Sequence, residues 1–221
     1  MLRECTEHGY FRGETCPVCG EAGKFLMSDE ELERIGRTMA GALRHFPEKF
    51  GLKMDEQGFV PMRDFIFAIK KYNPRYHWLR PHHIIALMET DPKGRYQCSN
   101  DLIRATYGHS LELDLRLPTD NIPDFLYYPT TPEETDIILE TGLKPSDRRL
   151  VHLSKTYSNA FNAGKVRTEM PVILEIDVRA LEQADFEVMK AARTVYLTKE
   201  VPPEFLKKAE QQEVEEEGTA D

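Results

Sequence analysis

The sequence predicts an α+β protein, in which helices and strands occupy different stretches of the chain. Three observations lead to this class. Apolar residues recur with helical spacing in the first half of the 221 residues. Short strand-like runs bounded by proline, glycine and polar residues dominate the second half. A group of cysteines with one histidine at the N-terminus indicates a metal-stabilised segment ahead of both halves.

Composition and charge limit the classes of function. Charged residues make up 30% of the chain, and no uninterrupted apolar run reaches membrane-spanning length. The N-terminus lacks the apolar core of a signal peptide, so we expect a cytoplasmic protein with no membrane partner. The net charge is −9, and residues 210–221 contain six acids and no base, which predicts a disordered acidic tail. An acidic body argues against broad nucleic-acid binding but permits a local basic cleft.

The N-terminal segment, residues 1–26, has the ligand pattern of a zinc knuckle. Its ligands follow the spacing C-x2-H-x7-C-x2-C, and four protein ligands leave no coordination position open for catalysis. A redox disulfide or free thiols are the alternatives. A segment this short needs its ion to fold. The remaining cysteine, Cys98, stands in an apolar-polar alternation and is expected to be a small core residue. The predicted zinc ligands are Cys5, His8, Cys16 and Cys19.

Residues 27–118 read as three helices followed by a hairpin. Ser28 and Glu31 form a capping box, which begins an amphipathic helix whose buried face extends to Phe46 and which Pro47 ends. Three helices and a two-stranded wing describe a winged-helix module, although a fold of this kind does not fix function. The other predicted elements are helices over 62–71 and 82–90 and strands over 96–98 and 102–106.

Residues 119–209 alternate strands with short helices and form a second α+β lobe. A glycine-rich dinucleotide fingerprint does not occur anywhere in the sequence, which argues against a Rossmann site. The predicted elements are strands over 125–128, 151–154, 171–178, 186–189 and 194–198, and helices over 132–140 and 156–163.

Isolated basic residues stand out against the acidic background. Leu43-Arg44-His45, Lys93 to Tyr96, Arg104 to Ser110, and Arg167 each place cations beside apolar residues that can hold them rigidly. Guanidinium groups donate hydrogen bonds in pairs that match phosphate oxygens. Arg44 and His45 have a simpler explanation too, because cations are favoured at the C-terminus of a helix.

The order of these segments resembles the RNA 2'-phosphotransferases of the Tpt1/KptA family. The resemblance runs from about residue 28 to about residue 208 and depends on the ordered set LRH, KGRY, RATYGHS, VHLS, Arg167, VYLT and VPP. It implies removal of an internal RNA 2'-phosphate with NAD as a consumed co-substrate. The expected substrate is RNA carrying a 2'-phosphate, of which tRNA from splicing is the family's best-known example. The resemblance also implies that the second lobe has an ADP-ribosyltransferase-like split sheet.

The resemblance assigns roles residue by residue. Arg44, His45 and Arg95 would bind the RNA 2'-phosphate, and His45 could also donate a proton. Arg167 would contact the same phosphate and stabilise the second, transesterification step. The residues expected to bind NAD are Gly108, His109, Ser110, Tyr128, Thr130, His152 and Ser154.

The chain departs from the family pattern at three places, the first of which is Tyr107, at a position often occupied by glutamine. Tyr128-Pro129 replaces a His-Gly pair near the dinucleotide, and Thr168-Glu169 replaces a His-Gly pair next to Arg167. We expect both to affect NAD handling more than phosphate recognition. Two alternatives therefore stay open, namely an ADP-ribosyltransferase that caps terminal phosphates of RNA or DNA, and a non-catalytic nucleic-acid-binding module. The sequence leaves the oligomeric state open.

Overall fold

The computed structural model describes residues 1–146 and 148–212, which form two compact units. The first unit comprises Met1–Arg116, and the second begins at Leu117. Helices and sheets are both present in each unit, so the predicted α+β class is confirmed. Most of the predicted acidic tail, residues 213–221, lies outside the described residues.

The first unit opens with a small antiparallel sheet that the sequence did not predict. Its strands are β1 (Leu2–Cys5), β2 (Gly9–Arg12) and β3 (Lys24–Met27), in the order β2-β1-β3. Leu2 and Met27 are fully buried in the main core of the unit. The strands were missed because four-residue strands in a segment rich in cysteine, glycine and charge carry little periodicity.

Helix α1 (Asp29–Arg44) begins where the sequence predicts and ends before Phe46, to which its predicted buried face extended. The Ser28 hydroxyl accepts a hydrogen bond from the backbone N–H of Glu31, whose carboxylate accepts one from the Ser28 N–H. Its buried face is as expected except at Phe46, whose side chain is 45% exposed. The helix has already ended there, so helical spacing no longer directs this side chain into the core.

The other elements of the first unit surround the same core. The turn between β5 (Tyr96–Ser99) and β6 (Leu102–Ala105) uses Asn100 and Asp101 at φ of 48° and 63°, a conformation that these residue types tolerate. Cys98 is exposed rather than buried, because only the first residue of β5 reaches the core. The elements are β4 (Val60–Pro61), α2 (Met62–Tyr72), α3 (Pro81–Glu89), β5 (Tyr96–Ser99) and β6 (Leu102–Ala105), with sheet order β4-β6-β5.

The second unit is built on a six-stranded sheet in the order β10-β11-β8-β7-β9-β12. Strands β7 (Phe125–Thr130) and β8 (Val151–Ser154) are joined at one residue pair, Tyr127 with Ser154. The sequence missed α6 and β12. The elements are β7 (Phe125–Thr130), α4 (Pro132–Thr141), β8 (Val151–Ser154), α5 (Tyr157–Gly164), β9 (Val172–Asp177), α6 (Val178–Gln183), β10 (Met189–Lys190), β11 (Val195–Thr198) and β12 (Leu206–Lys208).

The two faces of this sheet have separate cores. Leu126, Leu153 and Ile176 belong to the larger one. Tyr127 and Ile173 pack on the opposite face in a cluster that includes residues of α5. Among the described residues of both units, helices long and apolar enough to cross a membrane do not occur.

Candidate active site

The C-terminal end of α1 carries the first two candidate residues, Arg44 and His45. The loop that contains Ser110 closes over this end of the helix. The Ser110 N–H donates to the Arg44 carbonyl oxygen at 3.2 Å, and the Ser110 hydroxyl lies 3.1 Å from His45 Nδ1. The loop therefore satisfies a terminal carbonyl of the helix and fixes the position of the imidazole.

The Arg44 guanidinium lies close to the ring of Tyr107 and to Gly108. Its Cζ lies 4.8 Å from the centre of the Tyr107 ring. Gly108 has φ of +82°, and a Cβ there would lie 3.2 Å from the guanidinium, so glycine permits this close approach. Within the described residues, Arg44 Nε and Nη2 are buried without a hydrogen-bond partner. Burial is the main cause that lowers the pKa of Arg44. An anion bound here would therefore offset the free-energy cost of burying the charged guanidinium away from water.

Arg95 is held by a buried carboxylate that the sequence reading did not single out. Asp91, with 5% of its surface exposed, accepts hydrogen bonds from Arg95 Nη2 at 2.6 Å, Nε at 3.0 Å and the backbone N–H at 2.7 Å. Burial by itself raises the pKa of Asp91, but the hydrogen bonds and charge of Arg95, together with the charge of Arg12, outweigh it and lower that pKa. Asp91 uses Nε and Nη2, which leaves the Nη1 protons of Arg95 outside the pair.

The two guanidiniums act on the same surroundings. Burial raises the pKa of both Tyr96 and Tyr107, and the charges of Arg44 and Arg95 oppose that rise in each case. The charge of Arg95 also contributes to lowering the pKa of Arg44. The first unit thus brings the Arg44 and Arg95 guanidiniums near enough for the charge of Arg95 to act on Arg44, and His45 follows Arg44 in the chain. Such an arrangement suits a dianion. We call Arg44, His45, Arg95 and Ser110 the basic cluster.

Arg104, in the same segment, makes structural contacts. Arg104 is 3% exposed, and its Nη1 donates to the carbonyl oxygens of Gln57 at 2.9 Å and Leu115 at 2.6 Å. Its guanidinium also lies 4.3 Å from the Phe59 ring centre. His109 is buried, with 6% of its surface exposed. Arg104 therefore anchors the strand that leads into the loop of Gly108 to Ser110.

The second unit divides the expected NAD-binding residues between two faces of its sheet. Directly paired residues of neighbouring strands point to the same side, and side chains alternate along a strand. Because Tyr127 pairs with Ser154, both Ser154 and His152 share the face of Tyr127, where α5 packs. Tyr128 and Thr130 alternate with Tyr127 and lie on the other face, where Tyr128 packs against the larger core.

Other predicted site residues of the second unit make contacts within that unit. His152 Nδ1 lies 3.0 Å from the Leu150 carbonyl oxygen, and Thr130 is 2% exposed. Arg167 follows α5, and its Nη2 donates to Glu134 Oε1 at 2.7 Å. The Arg167 side chain is 52% exposed, so this ion pair is a weak restraint on its position.

The N-terminal cysteines and His8 form one compact group whose ligand atoms all lie within 4.8 Å of one another. Cys5 Sγ lies 3.4 Å from His8 Nδ1 and 3.7 Å from Cys19 Sγ, and Cys16 Sγ lies 3.7 Å from His8 Nδ1. A tetrahedral zinc with bonds of about 2.3 Å to sulfur separates its ligands by about 3.8 Å. The backbone N–H of Cys19 is the main cause that lowers the pKa of Cys16 to about 7, which favours the thiolate. The four residues therefore fit a zinc ion.

The residues that sequence reasoning missed are those that orient the cations. Asp91 fixes Arg95, and Tyr107 supports the Arg44 guanidinium. Asp91 lies four residues before Arg95. That spacing predicts an ion pair only when the conformation of the turn between the two residues is known.

Two curated relatives and one family model match most of this chain. A 43% identical protein of Thermoplasma acidophilum covers 96% of this chain and 90% of its own length. A 43% identical protein of Methanosarcina barkeri covers 93% of this chain and 98% of its own length, and both are named "Probable RNA 2'-phosphotransferase". Residues 30–200 match the family described as "RNA 2'-phosphotransferase, Tpt1 / KptA family". The chain therefore belongs to the Tpt1/KptA family of RNA 2'-phosphotransferases.

Proposed function

We propose that this protein removes an internal 2'-phosphate from RNA by transferring it to NAD. The products are RNA with a 2'-OH, nicotinamide and ADP-ribose 1'',2''-cyclic phosphate. The observation that carries the proposal is the basic cluster of the first unit, in a chain that belongs to this family. Within the part of the chain that the structure describes, Arg44 has buried donors without a partner, and Arg95 keeps donors outside its pair with Asp91.

In the first step, the basic cluster binds the 2'-phosphate dianion. Arg44 donates from Nε and Nη2, Arg95 from Nη1, and His45 from its ring. Hydrogen bonds from fixed cations replace the hydration shell that the phosphate loses on binding. They also orient one phosphate oxygen toward C1'' of the nicotinamide ribose. That oxygen forms the new bond to C1'' while the bond to nicotinamide breaks, which leaves an RNA phosphate joined to ADP-ribose.

In the second step, the ribose 2''-OH attacks the phosphorus and the bond to the RNA 2'-oxygen breaks. The proton lost by the 2''-OH must leave and the RNA oxygen must gain one, for which His45 is the proposed donor. Arg167 is proposed to stabilise the charge on the phosphoryl oxygens. Its exposed pair with Glu134 costs little to break, so Arg167 can exchange the carboxylate for a phosphate.

We also propose a division of labour along the chain. Residues 1–26 form the zinc knuckle, 27–118 a winged-helix RNA lobe, and 119–209 an ADP-ribosyltransferase-like lobe that binds NAD. The single residue pair that joins β8 to β7, at the middle of the six-stranded sheet, supports the last assignment. Gly108, His109 and Ser110 would contact NAD from the first unit. In the second unit, the predicted NAD-binding residues lie on two faces of the sheet, Tyr128 and Thr130 on one and His152 and Ser154 on the other. Variants on each face should therefore be tested separately for NAD binding.

Zinc is the metal that the Cys/His group fits best, because its ligands are three thiolates and an imidazole. When bound, it would stabilise the fold of the N-terminal segment and take no part in the chemistry. Metal analysis of the purified protein should find about one zinc per chain. Cys16→Ser should lower that ratio, whereas Cys98→Ser, at an exposed cysteine outside the group, should leave it unchanged.

The deciding assay uses a short RNA with one internal 2'-phosphate, with and without NAD. We expect 2'-OH RNA and nicotinamide only when NAD is present. RNA and DNA carrying a 5'-phosphate are run in parallel, and a stable ADP-ribosyl cap on them would favour the capping alternative instead. Binding that ignores the 2'-phosphate, with no nicotinamide released, would support a non-catalytic module and refute the proposal.

Variants separate the two steps. Arg95→Met should weaken capture of the 2'-phosphate and slow the first step. Arg167→Met should let the ADP-ribosylated RNA accumulate, which a gel resolves from substrate and product. Glu134→Gln is the matched control, since it removes the carboxylate that pairs with Arg167 but leaves the positive charge of Arg167 in place. If Arg167→Met ran both steps at the wild-type rate, the role given to Arg167 would be wrong.

A further inference from the structure

Strand β2 connects the Cys/His group with the loop that holds Arg95. Its side chains alternate between two environments. Phe11 packs with Cys5 and Cys16 in one cluster, whereas Tyr10 packs against the main core of the unit. Arg12 follows Tyr10 by two residues and so lies on the same side as Tyr10, the side opposite the cysteines.

On that side, β2 meets the end of α3. Arg12 Nε donates to Thr90 Oγ1 at 3.1 Å, and the same hydroxyl donates to the Ala86 carbonyl oxygen at 2.7 Å. Thr90 is the residue that ends the helix, and Asp91 comes directly after it. The charge of Arg12 is also among the causes that lower the pKa of Asp91. Arg12 therefore contacts the side chain of Thr90, the residue directly before the Asp91 that holds Arg95.

We propose that the Cys/His group exists to position the phosphate-binding Arg95, and that Arg12 is the positioning residue that transmits this effect. The inference rests on the proposed function, because Arg95 is taken as a ligand of the 2'-phosphate. We call residues 2–19, with β1, β2 and the four metal ligands, the Cys/His hairpin.

The order of residues in the Cys/His hairpin explains why a metal would matter. Two ligands, Cys5 and His8, precede Arg12, and two, Cys16 and Cys19, follow it. A bound ion closes the loop that contains β2, which removes much of its conformational freedom. The ion thereby holds Arg12 against Thr90, and Thr90 and Asp91 in turn hold Arg95. Without the ion, β2 loses the constraint on both of its ends.

Arg12 could instead touch the RNA directly, and binding measurements distinguish the two roles. A direct contact to a backbone phosphate supports binding of any RNA and adds about one unit to the slope of log K against log salt. A positioning residue acts only through Arg95. Its loss should therefore weaken binding of 2'-phosphorylated RNA and leave binding of the matching 2'-OH RNA unchanged.

The experiment measures the Kd of the full chain for both RNAs without NAD, so that no turnover occurs. Arg12→Met keeps the apolar stem but removes the hydrogen bond and the charge. We expect its preference for the 2'-phosphate to fall about fivefold to tenfold, the range of a modest coupling between sites. The matched control is Arg63→Met, which removes the same charge from a fully solvated side chain of α2. It should keep the wild-type preference.

A second arm removes the metal by dialysis against a chelator, with the fold of the main core followed by circular dichroism. The wild type should lose preference for the 2'-phosphate to the extent seen for Arg12→Met, and the chelated Arg12→Met variant should lose little more. Double changes that act through one path are not additive.

The outcomes separate this inference from the proposed function. A wild-type protein that binds both RNAs equally would defeat the proposed function. A wild type that prefers the 2'-phosphate, with Arg12→Met retaining that preference, would defeat only the positioning role. Equal weakening for both RNAs, with a shallower salt slope, would make Arg12 an RNA backbone contact and overturn the inference in that way.

Discussion

The pair of Asp91 and Arg95 allows one prediction to be worked through in detail. Asp91→Asn keeps the shape of the side chain but replaces one carboxylate oxygen with an NH2 group and removes the charge. The carboxylate now accepts from Nη2, Nε and the backbone N–H of Arg95. In the variant, one of these donors must face the amide NH2 group, which cannot accept.

The size of the effect follows from burial. Removing one partner of a fully buried ion pair costs about 3–5 kcal/mol, because the other charge is left uncompensated. The Asp91 side chain is fully buried, but the Arg95 side chain is 29% exposed, so water can replace part of what it loses. We therefore expect Asp91→Asn to lower the free energy of unfolding of the first unit by about 2 kcal/mol.

The assay is urea unfolding followed by tryptophan fluorescence. Trp78 is the chain's one tryptophan and packs against the core of the first unit, so its signal reports that unit. The control is Asp64→Asn, at an exposed pair with Arg63, which should change stability by less than about 0.5 kcal/mol. An Asp91→Asn midpoint equal to that of the control would refute the reasoning, as would unchanged affinity for 2'-phosphorylated RNA.

Further predictions concern pH and packing. The pKa of Asp91 is lowered in the folded state. The contribution of its carboxylate to the free energy of unfolding is therefore complete above the ordinary carboxyl pKa of about 4 and is lost as pH falls through the lower folded value. In acid unfolding, the stability difference between wild type and Asp91→Asn should shrink over that pH range. Burial, with the charge of His82, lowers the pKa of His83 from 6.5 to about 4. The free energy of unfolding should therefore increase as pH rises from about 4 to about 6.5, because the unfolded chain binds the extra proton in that range. His83→Gln should remove this increase. Gly164→Ala would place a Cβ 2.6 Å from a Pro171 carbon, and we expect it to lower the stability of the second unit by about 1–3 kcal/mol in thermal unfolding.

Local features of the chain were readable from the sequence because they depend on neighbours in the sequence. The capping box of Ser28 and Glu31 marked the start of α1, and Pro47 marked where the helix could not continue. The spacing of the N-terminal cysteines with His8 predicted a group of ligand atoms that the structure brings together. The hairpin of β5 and β6 was likewise signalled by Ser99-Asn100-Asp101.

Short strands and buried partners were not readable. The small N-terminal sheet has four-residue strands, too short to show a period, and it buries Leu2 through contacts with distant parts of the chain. Phe46 and Cys98 were wrongly predicted to be buried. The apolar spacing in the sequence continues past the residue at which the helix or strand leaves the core.

The sequence by itself determined which residue types are present for phosphate chemistry, since basic residues beside apolar ones stand out in an acidic chain. Tertiary structure alone decided how they are held. Asp91 orients Arg95, and Arg12 reaches Thr90 across the packing of β2 against α3. It also decided that Ser154 and Tyr128 lie on opposite faces of one sheet. These relations depend on strand pairing and on contacts between residues far apart in the chain, which composition and spacing do not encode.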